Sequence, residues 1–138
     1  MAVSLKLRGL VTSRAHHRCE YCGLSTKGQA ATFHVDHIVP VVAGGLTVLD
    51  NLALACIHCS LRKGARRAAP DPMSGVIVTL FHPQHDSWAM NFRWDGVKLI
   101  GRTASGRATV ATLDLNSAEH LVIRGFEMRL GRHPADPC

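Results

Sequence analysis

No stretch of this 138-residue chain approaches the roughly 18 apolar residues needed to cross a bilayer. The longest candidate, residues 38–46, is broken by Pro40, Gly44 and Gly45. An export signal needs an apolar core near the N-terminus, and this chain places Lys6 and Arg8 there, so a soluble cytoplasmic protein is expected. Charged residues are sparse at 19% while apolar ones reach 46%, which excludes a disordered tail and a coiled coil. Internal repeats and low-complexity segments are also missing. Acidic residues are scarce in one half only. Residues 1–70 set nine Lys and Arg against Glu20, Asp36 and Asp50, whereas residues 71–138 carry seven charges of each sign. The net charge of +6 therefore belongs to the first half, which points that half towards a polyanionic partner. The length suits one compact module with an appendage, and the composition divides the chain into residues 1–70 and 71–138.

Four of the five cysteines form two C-x-x-C pairs, Cys19/Cys22 and Cys56/Cys59, and Cys138 is expected to stand apart at a frayed end. A single pair is open to three readings: metal ligands, a redox dithiol, or small buried hydrophobes. Two pairs in turn-like stretches, Cys19-Glu-Tyr-Cys-Gly23 and Cys56-Ile-His-Cys-Ser60, favour a tetrahedral zinc shell. The spacing between the pairs exceeds the roughly 15–20 residues of a simple zinc ribbon, so a substantial insert lies between the halves of the clamp.

Local patterns give a coarse α+β order. Ser4 caps a helix reaching about Ala15, and residues 32–36 read as a short strand. Residues 40–50 form a loop around Gly44-Gly45, and 51–55 lead into the second cysteine pair. A short basic helix is expected over 60–68, then a proline-stopped linker at 69–72. Beyond it come a strand at 76–81 and a hairpin of 91–94 with 97–100 about Asp95-Gly96. Two helices follow, about 105–115 and 117–130, with Asn116 and Glu119 as a capping box and Gly131 as the stop.

The insert carries the chemistry. Asp36-His37 ends a strand, where a carboxylate can hold a hard divalent cation and a neutral imidazole can take a proton from water attacking phosphorus. Taken alone, the dipeptide reads equally as a hydrogen-bonded pair at a strand end. Between two cysteine pairs, and ahead of Arg62, Lys63, Arg66 and Arg67 as phosphate contacts, it favours a metal-dependent phosphodiesterase.

The run through Cys19-Glu-Tyr-Cys-Gly23, Phe33-His-Val-Asp-His-Ile-Val-Pro40, Gly44-Gly45, Asp50-Asn51-Leu52 and Cys56-Ile-His-Cys-Ser-Leu-Arg-Lys-Gly64 resembles the HNH (His-Asn-His) endonucleases. Within them it is similar to the four-cysteine branch with a ββα-metal core. Residues 80–109 look like the C-terminal extension of a bacterial subgroup. The resemblance implies a ββα-metal nuclease core carrying a hairpin and a two-helix extension. It also implies structural Zn²⁺ on Cys19, Cys22, Cys56 and Cys59, and a catalytic Mg²⁺ or Mn²⁺. By position, Asp36 would bind that metal, His37 would be the general base, and Asn51 would fix the loop that orients it. Position 60 would be the second metal ligand. The family usually has His or Asn there, and this chain has Ser60, with His34 as a possible supplementary ligand on the face of Asp36. The implied partner is DNA, bound by a monomer or weak homodimer without membrane attachment. A zinc-stabilised nucleic-acid-binding module without catalysis is the alternative that Ser60 favours, and a redox protein using one C-x-x-C is a third.

Other residues are open to plainer readings. Trp88, Trp94, Phe81 and Phe92 suit the small core of the second half better than base stacking. His82 and His85 suit a surface loop. Arg102, Arg107, Arg124 and Arg129 are expected on a solvated face with Asp95, Asp114, Glu119 and Glu127. His16-His17 either ends the first helix or contacts phosphate.

Overall fold

The computed structural model describes residues 3–135, so Cys138 lies outside the described residues. Among the described residues the architecture is α+β, with three separate two-stranded antiparallel sheets among short helices. Within the described residues the chain forms two units. The first runs up to Arg67 and takes in His82–Gln84; the second comprises Ala68–Phe81 and the chain from His85 onwards.

In the first unit, the Ser4 side chain accepts from the Leu7 amide and starts helix α1 (Leu5–Arg14). Two left-handed residues, His16 and His17, with φ of 54° and 57°, end it and turn the chain into the first cysteine pair. The helix packs on strand β2 (Leu52–Ala55). Arg14 secures it, donating to the carbonyls of Leu49 and Leu52 and to Glu20. Strand β1 (His34–His37) pairs with β2, placing His34 opposite Ala55 and Asp36 opposite Ala53. All four residues of β2 are buried, as expected of a strand covered on both faces. Helix α2 (Ile57–Lys63) follows at once and packs on both strands. Ala53 and Ala55 project little from the sheet, which lets that helix come close. The helix is shorter than the sequence pattern suggests. Gly64 closes it, so Arg66 and Arg67 lie beyond its end.

The second unit corrects several expectations. Residues 68–70 are not linker but strand β3 (Ala68–Pro70), paired with β4 (Ile77–Thr79). Proline is tolerated in so short a strand because no second neighbour needs its missing N–H. Asp71 makes the turn. Its carboxylate accepts from the Met73 amide, the Ser74 hydroxyl and, through two parallel bonds of 2.9 and 2.8 Å, Arg107. Helix α3 (Trp88–Asn91) leads into a hairpin of β5 (Phe92–Asp95) and β6 (Lys98–Gly101). Asp95 pairs with Lys98, so the loop is Gly96-Val97, one residue later than the pattern suggests, with Gly96 supplying the positive φ. Helix α4 (Ala104–Thr112) lies against β6 and against β3 and β4. A side chain at Gly106 would strike the Asn91 carbonyl, so this approach requires glycine. Helix α5 (Ala118–Arg129) closes the described fold.

Phe81 and Phe92 are buried with their ring centres 5.0 Å apart, and Trp88 bridges Phe92 to Trp94. These rings form a core cluster. The expected capping box is absent, since Ser117 caps α5. Asn116 instead holds both backbone groups of Leu99 through its side-chain amide. Of the arginines expected on a solvated face, Arg102 and Arg129 are exposed, whereas Arg107 and Arg124 are not. Arg124 is 3% exposed, lies over the Trp94 ring and donates to the carbonyls of Val97 and Leu115. Arg107 pairs with Asp71, and Glu127 pairs with Arg132. A guanidinium with five donors can satisfy several carbonyls at once, which a solvated-face reading leaves out.

The turn at Asp71 has a pH signature. The Arg107 guanidinium, aided by the Met73 amide and the Ser74 hydroxyl, holds the Asp71 carboxyl well below the usual carboxylate range. An unfolded Asp titrates near 3.9, so the stabilisation is complete above about pH 5 and is lost progressively as acid protonates first the unfolded and then the folded carboxyl. Both tryptophans belong to the second unit, so their emission follows it selectively. The expected result is that Asp71→Asn lowers the Trp-monitored melting temperature at neutral pH and flattens its decline in acid. An unchanged profile would show that the pair does not stabilise this unit.

Candidate functional site

The four cysteines of the two pairs converge in the first unit. Their sulfurs lie within 4.8 Å of one another, and all four side chains are buried. The first pair sits in a tight loop in which the Gly23 amide donates to the Cys19 carbonyl. In the second, Cys56 stands at the start of α2 and Cys59 in its first turn. Glu20 locks the two together. Its backbone amide donates to the Leu54 carbonyl and its carboxylate accepts from the Leu54 amide, both at 2.8 Å. Cys22 Sγ and Cys56 Sγ are 3.7 Å apart, far beyond a disulfide bond. A tetrahedron with Zn–S bonds of about 2.3 Å has edges of about 3.8 Å, which this spacing fits.

The electrostatics favour a cation at the same place. Burial pushes the Cys19 thiol up, but hydrogen bonds from the other three sulfurs outweigh it and hold Cys19 well below its ordinary value. Cys22 and Cys59 are pushed well above theirs, first by their bonds to Cys19 and next by bonds to other sulfurs, with burial adding to the rise. Four crowded, buried thiols cannot all ionise against one another, whereas a divalent cation neutralises the charge. The donor set therefore fits structural zinc.

The segment between the pairs positions the remaining candidates. Strand alternation puts His34 and Asp36 on one face of β1 and buried Val35 on the other. His34 Nδ1 lies 2.8 Å from Ser60 Oγ on α2. His37, at the end of the strand, brings Nε2 to 2.9 Å from Thr47 Oγ1 in the β1–β2 loop. Asn51 closes that loop. Its Oδ1 accepts from the Val39 amide at 2.8 Å, and its Nδ2 donates to the carbonyls of Val39 and Leu46. Any side chain on Gly45 would collide with the Val39 carbonyl and the Asn51 amide, so the clamp also requires glycine. Thr47 and Glu20 carry no sequence signal of their own, because their contacts exist only once the loop and the cysteine clamp have closed.

The basic residues separate. Arg62, Arg66 and Arg67 are exposed. Lys63, expected among the phosphate contacts, is corrected: it is 3% exposed and donates from Nζ to the Ile38 carbonyl at 2.8 Å. Burial holds its ammonium below the usual range, with Asp36 opposing and Arg67 reinforcing that shift. Its place at the inner face of α2 commits it to the end of β1 rather than to a ligand in solvent.

Two strands, a clamped loop and a helix gather beside four cysteines that form a potential zinc site. Residues 19–66 match the HNH endonuclease family model, and that likeness points to a nuclease family. No curated protein and no solved structure matches the chain.

Proposed function

We propose that the first unit is a metal-dependent endonuclease that hydrolyses DNA phosphodiester bonds. The observation that carries this reading is the placement of His37 within an HNH segment, its ring hydrogen-bonded to Thr47 on a loop that Asn51 ties down. An imidazole whose Nε2–H donates to the Thr47 hydroxyl keeps its Nδ1 lone pair for the proton of an attacking water. Asn51 acts through the loop, fixing where Thr47 and therefore His37 stand. The half-buried Asp36 carboxylate, with position 60 or His34 alongside, is the ligand set for a catalytic Mg²⁺ or Mn²⁺. When bound, such a cation offsets charge on the phosphoryl oxygens and the leaving group. Arg62, Arg66 and Arg67 would hold backbone phosphates, giving binding that weakens as salt rises. The reading carries with it a cytoplasmic, bacterial protein that works as a monomer or weak homodimer, with residues 71–138 as an extension of the nuclease core.

Ser60 favours a second reading, a zinc-stabilised nucleic-acid-binding module with weak or lost catalysis. A serine hydroxyl is a neutral oxygen of short reach, and this one is engaged with His34. Supercoiled plasmid separates the two. The expected result is nicked circles when Mg²⁺ or Mn²⁺ is added to zinc-loaded protein and none when it is omitted. Zinc-loaded protein that retards DNA in a gel but nicks it with neither metal would establish the binding module instead.

A further inference from the structure

We propose that His34, and not Ser60, is the second protein ligand of the catalytic metal, and that Ser60 serves to orient the His34 ring. This rests on the nuclease reading above and assigns its metal site. Three observations support it. His34 and Asp36 share a face of β1 two residues apart, the strand being pinned by buried Val35 between them. The Asp36 carboxylate is half-buried and accepts no hydrogen bond among the described residues, leaving its lone pairs to an external cation. The His34 side chain is exposed and is bonded only through Nδ1, to Ser60 Oγ at 2.8 Å, so its Nε2 has no partner among the described residues.

That pattern is the one metal-binding imidazoles adopt. A ligating histidine characteristically donates its other ring N–H to an oxygen, which fixes both the tautomer and the ring plane. With Nδ1–H donated to Ser60, the Nε2 lone pair is the donor that remains. A hydroxyl suits this supporting role better than ligation, since it is uncharged and already lies against the ring. Placing the nitrogen donor on β1 rather than on α2 keeps it on the same rigid strand as Asp36. A carboxylate with an imidazole also favours Mn²⁺ over Mg²⁺, which prefers oxygen donors and water.

The test is Mn²⁺ binding by zinc-loaded protein, read from loss of the free Mn²⁺ electron paramagnetic resonance signal. Wild type, Asp36→Asn, His34→Ala, Ser60→Ala and the His34→Ala/Ser60→Ala double variant are compared. His34 and Ser60 are not core residues, and zinc content with circular dichroism verifies each fold. Asp36→Asn and His34→Ala should each weaken Mn²⁺ by more than tenfold. Ser60→Ala should weaken it by about tenfold, the range for losing a ligand's supporting hydrogen bond. The double variant should be no weaker than His34→Ala, because Ser60 acts only through that ring. Nitrogen modulation of the bound Mn²⁺ spin echo should persist in Ser60→Ala and disappear in His34→Ala.

Wild-type affinity and modulation in His34→Ala, or a double variant weaker than His34→Ala by the full Ser60→Ala factor, would overturn the assignment. If Asp36→Asn still abolishes binding in that case, the nuclease reading stands and only the ligand assignment fails. Undiminished Mn²⁺ binding by Asp36→Asn, or none by wild type, would overturn both.

Discussion

Cys59→Ser unfolds the first unit, even though the new side chain differs from the old by one atom. Cys59 is fully buried among three other sulfurs, and a serine hydroxyl there neither binds zinc strongly nor finds a polar partner. Structural zinc contributes on the order of 10–16 kcal/mol to folding in small domains. That is comparable with or larger than the roughly 5–15 kcal/mol by which whole domains are stable. The described elements of this unit are short: α-helices of ten and seven residues, two strands of four and two 3-10 turns of three, too little to fold without the clamp. Zinc release to a chromogenic chelator, followed alongside far-ultraviolet circular dichroism, should show one equivalent lost together with structure. Tyr21, buried beside the cysteines and the chain's single tyrosine, gives a local spectroscopic signal, while Trp88 and Trp94 report the second unit separately. A Cys59→Ser protein that kept its melting temperature would show that zinc does not hold this unit together.

His37→Ala has the opposite profile: folding and zinc content unchanged, plasmid nicking lost. General-base catalysis contributes about 10²–10⁴-fold, and removing the imidazole removes all of it. Thr47→Val, which keeps the loop's bulk but deletes the hydroxyl, should reduce nicking less and leave DNA affinity alone, while Thr47→Ser restores it. The hydroxyl holds the orientation of the His37 ring, so its loss affects turnover rather than binding. Nicking by His37→Ala at the wild-type rate would place the base elsewhere.

The cysteine clamp was legible because its logic is local: two short spacings, each a tight turn, whose thiols need the same cation. Ser4 and the helix it caps were legible for the same reason. Asp36, His37 and Asn51 stand out by their order along the chain, but what surrounds them does not. Thr47 lies ten residues from His37, and only closure of the loop by Asn51 and Gly45 brings it to the ring. Lys63 reads as one of four basic residues after the second cysteine pair, and only helical phase separates its buried position from the exposed Arg62 beside it. Long-range polar pairs were the least accessible. Asp71 and Arg107 are 36 residues apart, and the prolines around Asp71 gave the pattern of a linker. Buried Arg124 read as a surface charge because nothing in its spacing reveals that three backbone and side-chain acceptors converge on it.

The route of the chain through residues 82–84 bears on how the protein can be taken apart. Gln84 belongs to the first unit, where its amide donates to Glu20 Oε1 and to the Leu52 carbonyl, each at 3.1 Å. Glu20 is the same side chain that fastens the first cysteine loop to β2. Stopping the chain at Arg67 therefore removes Gln84 and its two hydrogen bonds to the first unit. A deletion series or a fusion protein built on that boundary removes a buttress encoded seventeen residues downstream.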